Sequence, residues 1–175
     1  MVILRATRKV LRSLPETANG TDVSDNALGD WYVNRLVVDR RPLLLLVNAK
    51  SRLAMLEPAR DVKNLPRRLV RMVEVRLQRL GVGQGVIASE VDATNVVRVG
   101  RTIDRSVNGQ LADFARTVPL YLPVGQWDEA ALRIVEDRFG ETPCLASRRF
   151  EEVIFPDRDA VRLLERAWPA SATRH

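Results

Sequence analysis

WYVNRLVVDRRPLLLLVNAKSRLAMLEP, residues 31–58, is the stretch that decides the fold. Three apolar runs, Trp31–Val38, Leu43–Val47 and Arg52–Glu57, are separated by DRRP (Asp39–Pro42) and NAKS (Asn48–Ser51) and closed by Pro58. Connections this short join antiparallel neighbours, so the stretch predicts a β-meander. LLLLV has no polar alternation, which predicts a middle strand covered on both faces. Turn residues close on both sides of that run and leave too little length for a helix.

Before the meander, Val2–Ala6 reads as a short strand, and Thr7 caps a helix through Leu14 that Pro15 ends. Glu16–Gly29 carries Gly, Asn, Asp and Ser and reads as a mobile loop, dispensable for folding. After the meander, Val62, Leu65, Leu69, Met72, Val73, Leu77 and Leu80 recur at helical spacing, which predicts a helix over Asp61–Leu80 that stops at Gly81. Arg67, Arg68, Arg71 and Arg79 fall on the opposite arc and read as a solvated face, whereas Arg76 falls inside the apolar stripe. An arginine there needs a partner, and Glu90 and Asp92 are the candidates. GVGQG, residues 81–85, lacks the Lys-Ser/Thr of a phosphate-cradling loop and reads as a turn.

VIASEV and NVVRVG predict a hairpin about Asp92–Thr94. Asp104 or Ser106 opens a helix with Val107, Leu111, Phe114, Ala115 and Val118 on one face, interrupted at Pro119. Trp127–Phe139 and a segment from Pro156 to Trp168 complete the helices, and Ala170–His175 reads as a frayed end. The expected fold is α+β, an antiparallel β-meander sheet of about five strands with helices packed mainly on one face. A core over residues 1–118 would carry a helical extension, residues 119–175, packed on it.

The 175 residues are 46% hydrophobic and 29% charged, an ordinary globular composition. The longest wholly apolar run, Leu43–Val47, is too short to span a bilayer, and the N-terminal VILRATRKVLRSL lacks a signal peptide's apolar stretch, so a cytoplasmic protein with no membrane partner is expected. Cys144 is the sole cysteine, which excludes an intrachain disulfide and a cysteine-based zinc site; a buried filler is the simple reading. Residues 1–116 hold 20 basic and 12 acidic side chains, and residues 117–175 hold 8 and 10. A basic body with a mildly acidic end piece suits either attraction of a polyanion to the first two-thirds of the chain or electrostatic attachment of its two parts to each other. Arginine outnumbers lysine 25 to 3, which suits phosphate contacts but also follows from coding bias in a GC-rich genome.

Enzyme readings start poorly. The one histidine, His175, is the last residue, which removes His-based catalysis. Glu136–Asp137 and Glu151–Glu152 are adjacent pairs that point apart on a helix and read as solvated charge. No metal, cofactor or catalytic residue is expected. The densest polar cluster is RVGRTIDRSVNGQLADF, residues 98–114, where Arg101, Thr102, Arg105, Ser106 and Asn108 gather at a helix start. Free N–H groups and arginines there suit a phosphate or carboxylate. The competing reading is a cap, with Asp104 or Ser106 satisfying the N–H groups. Secondary candidates are Trp31, Asn34, Arg40 and Arg41, an aromatic strand beside a basic turn of the kind that holds single-stranded nucleic acid. Trp31 and Tyr32 point to opposite faces, so at most one joins such a platform; the simpler reading puts both in the core.

Taken in order, VILRATRKVLRSL, GDWYVNRLVVDRR, LLLLVNAKSR and RTIDRSVNGQLADF resemble an uncharacterised bacterial domain family. In that family a strand and basic helix precede a Trp-bearing strand, an apolar strand ending Val-Asn, an Arg one turn later (here Arg52) and a Thr-x-Asn-Arg-Ser helix start. The resemblance covers about two-thirds of the chain, with Asp104 standing where the family carries Asn. It implies a bacterial cytosolic protein and marks these residues, but supplies no activity. The expected function is a binding module for nucleic acid or another anionic partner. The alternatives are a protein-interaction or regulatory module of an operon-encoded pair, meeting an acidic protein, and then an enzyme on a phosphorylated or nucleotide substrate.

Overall fold

A computed structural model describes residues 1–145 and 152–169. Glu151, one half of an acidic pair named above, and the 170–175 segment with His175 lie outside the described residues. The chain order is β1 (Val2–Ala6), α1 (Arg8–Leu11), β2 (Trp31–Val38), β3 (Arg41–Asn48), β4 (Ala54–Pro58), α2 (Leu65–Arg79), α3 (Gln84–Thr94), β5 (Val97–Arg101), α4 (Arg105–Tyr121), α5 (Glu129–Glu141), β6 (Cys144–Leu145), β7 (Val153–Ile154) and α6 (Pro156–Ala167). The fold is mixed α/β, with a five-stranded sheet in the order β4-β3-β2-β1-β5 and a separate β6-β7 pair.

The all-antiparallel expectation is corrected. β2, β3 and β4 pair antiparallel, with Leu45 opposite Asn34 on one side and Leu56 on the other. β1 instead enters the sheet parallel to both β2 and β5, with Leu4 opposite Trp31 and Val99. The predicted hairpin fails for the same reason. Residues 86–91 belong to α3, which turns Ile87, Glu90 and Thr94 inward, and only Val97–Arg101 reaches the sheet as a strand. A parallel pair needs a long crossover rather than a tight turn.

Helices cover both faces, not one. Val2, Leu4, Trp31, Val33, Leu44 and Leu46 pack against Val10 after β1, against Leu69, Val73 and Leu77 of α2, and against Leu164 of α6. Tyr32, Leu43, Leu45 and Val47 face Val107, Leu111, Phe114 and Val118 of α4 and Leu132, Val135 and Phe139 of α5. Residues of β3 alternate between these two cores, which explains why LLLLV has no polar position. α4 also runs on past the expected break, with Pro119 inside its last turn. Among the described residues no helix is long and apolar enough to cross a membrane.

The 16–29 segment is not a free loop. Its start follows the outer edge of β5, where the Thr17 and Ala18 N–H groups donate to the Val99 carbonyl. Its end is fixed by the fully buried Glu90 carboxylate, which accepts from Asn26 Nδ2 at 2.8 Å, the Ala27 N–H at 2.9 Å, the Leu28 N–H at 3.1 Å and Trp168 Nε1 at 2.9 Å. Glu90 therefore serves this segment and not Arg76.

Candidate anion-binding edge

β1 and β5 lie side by side and run the same way, yet the chain leaves them on opposite faces. After β1 it sends Val10 into one core; after β5, α4 packs on the other. Such a divergence opens a crevice at the carboxyl ends of the strands, the usual ligand position in open α/β sheets. A groove of ≈ 550 Å³ occupies that position, lined by Ala6, Arg8, Leu11, Arg12, Glu16, Arg101 and Thr102. A second groove of ≈ 700 Å³ shares Arg12 with it and is lined by Lys9, Ser13, Asn34, Arg35, Leu36, Val37 and Ala115.

Local structure aims these cations outward. The Thr7 N–H donates to the Val33 carbonyl at 3.0 Å and seats α1 on β2. Thr7 was expected to cap α1, but its hydroxyl donates to Asn34 Oδ1 at 3.0 Å instead. With Val10 and Leu14 buried, Arg8, Lys9 and Arg12 are left exposed, as is Arg35 on β2. None of these four makes an ion pair among the described residues. Arg101 is paired with Glu16 across the first groove, which holds the guanidinium above its ordinary range.

The polar cluster of residues 101–108 is thus divided by the fold. Arg101 and Thr102 line the groove. Asp104 caps α4, its carboxylate accepting from the Ser106 N–H at 2.7 Å and the Val107 N–H at 3.1 Å, so the N-terminal anion position is filled by the chain itself. The Ser106 hydroxyl accepts from Arg52 Nη2 at 3.1 Å. Arg105 is exposed, and Asn108 is half-buried one turn into the helix, its N–H donating to the Asp104 carbonyl at 3.0 Å.

The secondary candidates do not form a platform. Trp31 and Tyr32 are both buried, on opposite faces, and the Tyr32 hydroxyl accepts from the Asp104 N–H at 3.2 Å. Arg40 sits exposed in the β2–β3 turn at φ 64°. Arg41 stacks 3.7 Å from the Trp127 ring centroid and donates to its carbonyl at 2.6 Å, fastening the chain before α5. Arg52 is 4% exposed and donates to the Ala49 carbonyl; burial lowers its pKa. It is a brace between the β3–β4 turn and α4.

A second charged centre lies at the far side of the sheet. Arg76 is 2% exposed and donates to Asp157 Oδ1 at 2.9 Å and to Asp137 Oδ1 at 3.5 Å. Burial raises the Asp157 pKa against the pull of this guanidinium. Glu136, expected to be solvated, is fully buried and held by Arg133 Nη1 at 2.6 Å and by Arg79. Arg79 keeps its expected exposure but is ion-paired there with Glu136 and Asp137. Among the described residues no group of three His, Cys, Asp or Glu side chains is placed to hold a metal ion.

A family model covers residues 3–159 of this chain, from β1 into α6. The chain belongs to the domain of unknown function family DUF6933. No curated protein and no solved structure matches it. The DUF6933 match takes in β1, α1 and β5, and so every residue of the two basic grooves. Sequence reasoning missed Arg8, Lys9, Arg12 and Arg35 because the grooves exist only once β1 has been inserted beside β5. The signal for Arg8, Lys9 and Arg12 was the run RATRKVLR, three of whose four cations line the grooves; Arg35 lies outside it, on β2.

Proposed function

We propose that this protein is a binding module for a polyanion, a nucleic-acid backbone, seated along the carboxyl edge of β1 and β5. One observation carries the reading: two grooves joined at Arg12 expose Arg8, Lys9, Arg12 and Arg35, none of them ion-paired among the described residues. A single phosphate would need one pocket; a line of unpaired cations suits successive phosphates. With Trp31 and Tyr32 in the core, base stacking contributes nothing and recognition rests on the backbone. The protein would work in the cytoplasm, where such polymers are met.

The test is anisotropy of a labelled mixed-sequence oligonucleotide across a salt series. Binding should weaken steeply with salt and depend little on sequence. Arg8→Gln with Arg12→Gln should reduce the slope of log K against log salt by about 1.5–2, near one unit per lost phosphate contact. Equal binding by wild type and variant would overturn the reading. Leu36, Val37 and Ala115 in the second groove favour a second reading, an acidic protein segment with apolar side chains. Salt-sensitive binding of an acidic amphipathic peptide, without oligonucleotide binding, selects it.

A further inference from the structure

β4 is the last strand on its side of the sheet, and an edge strand presents a row of unsatisfied backbone groups. Leu56 stands opposite Leu45 with its N–H and C=O turned away from β3. Glu136 Oε1 accepts from that N–H at 2.7 Å, and Arg133 Nη1 donates to that carbonyl at 3.2 Å. Two residues earlier, Arg76 Nε donates to the Ala54 carbonyl at 3.3 Å. Two residues later, Pro58 has no N–H to offer, and its carbonyl accepts from the Arg60 N–H at 2.7 Å. The outward carbonyls of Ala54, Leu56 and Pro58 and the Leu56 N–H are thus met by side chains or by the turn that follows, and Pro58 has no N–H.

This is more than a buried ion-pair network needs. Glu136 and Arg133 already satisfy each other, with Arg79 as a further donor. Their additional bonds to Leu56 reproduce the acceptor and donor that a neighbouring strand would present. We propose that Arg76, Arg133 and Glu136 form an edge guard, a side-chain substitute for a sixth strand that closes β4 against pairing with a second copy of this chain. A second copy is the occupant the edge fits. In an antiparallel pair centred on Leu56, the N–H of each copy meets the C=O of the other, a self-complementary two-fold contact. Ala54, Met55 and Leu56 are all buried and apolar, so the strand carries no charge of its own against such pairing before Glu57.

The decisive variant is Arg133→Met with Glu136→Leu. It removes both groups on Leu56 at similar volume and strands no buried charge, since Arg79 keeps Asp137 at 2.5 Å and Arg76 keeps Asp157. Two readouts are taken against wild type: sedimentation over a concentration series, and exchange of the Leu56 amide in dilute protein. The double variant should associate about tenfold more strongly and exchange its Leu56 amide about tenfold faster. Glu136→Gln, which retains an oxygen acceptor for Leu56, should match wild type in both. Association by the Gln variant, or a folded double variant that matches wild type in both, would overturn the proposal. Should the double variant fail to fold, Arg133→Met alone opens the Leu56 carbonyl; it should associate more strongly than wild type, and unchanged association overturns the proposal.

Discussion

Asp157 reaches Arg76 through the space that a side chain on Gly140 would fill. A Cβ built at Gly140 would lie 2.0 Å from Asp157 Oδ1 and 2.3 Å from its Cγ, while that same Oδ1 accepts from Arg76 Nη2 at 2.9 Å. The close crossing of α5 and α6 and the partnering of a buried guanidinium are therefore one constraint.

Gly140→Ala should push the Asp157 carboxylate aside and leave Arg76 under-partnered, lowering stability by about 2–4 kcal/mol. In an Asp157→Ala background the obstruction is gone, so the same Gly140→Ala change should cost well under half as much. Urea unfolding of the four proteins of this cycle measures the coupling. Additive losses would mean that α5 and α6 yield independently.

Arg76→Ala should destabilise by about 3 kcal/mol, because it leaves Asp157 half-buried without its cation and takes the donor from the Ala54 carbonyl. Arg67, exposed on α2, should tolerate alanine with a change under about 0.5 kcal/mol. Paired thermal melts of the two variants provide the comparison.

Glu90→Ala should release the end of the 16–29 segment. It removes the acceptor of four donors and leaves the Ala27 and Leu28 N–H groups buried and unmet. Wild type should resist limited proteolysis between residues 16 and 29, and the variant should be cleaved there first. Early cleavage of the wild type would show that the tether is too weak to order the segment.

Cys144 should behave as an inert thiol. Burial pushes its pKa up to about 11, so at pH 8 it stays protonated and reacts with alkylating agents only after unfolding. A pKa raised in the folded state contributes stability that is intact below the ordinary thiol range and is lost as pH rises through about 11. Cys144→Ser should flatten the alkaline limb of a stability–pH curve.

The local elements were legible because their signals are local. Apolar spacing and end residues located α2, α4 and α5, and short turns located β2, β3 and β4. Residues 86–91 misled because Val86, Ile87 and Val91 are β-branched, while α3 turns a carboxylate and a hydroxyl, Glu90 and Thr94, toward the core at helical spacing. The burial of Glu90 is justified only by partners on distant segments, which no window of sequence contains, whereas the Thr94 hydroxyl donates to the Glu90 carbonyl one turn back. Glu136 misled for the same reason: next to Asp137 it reads as surface charge, and only the edge of β4 explains its burial. The 101–108 cluster is the helix start that the sequence indicates, and of the two cap candidates, Asp104 and Ser106, Asp104 caps α4. The basic grooves take only Arg101 and Thr102 from it and draw their unpaired cations from α1, its C-cap and β2.

The place of β1 in the sheet also bears on how the chain folds. β2, β3 and β4 pair with near neighbours along the chain, whereas Leu4 must find Val99 across most of the first hundred residues. Contacts between residues so distant in sequence incur the largest loop-closure entropy and form late. The meander should therefore assemble early and hold an open flank beside β2 until β1 and β5 arrive together. During synthesis that flank stays uncovered until residues beyond 101 leave the ribosome, which makes this interval, rather than the finished fold, the period of greatest exposure to misassembly.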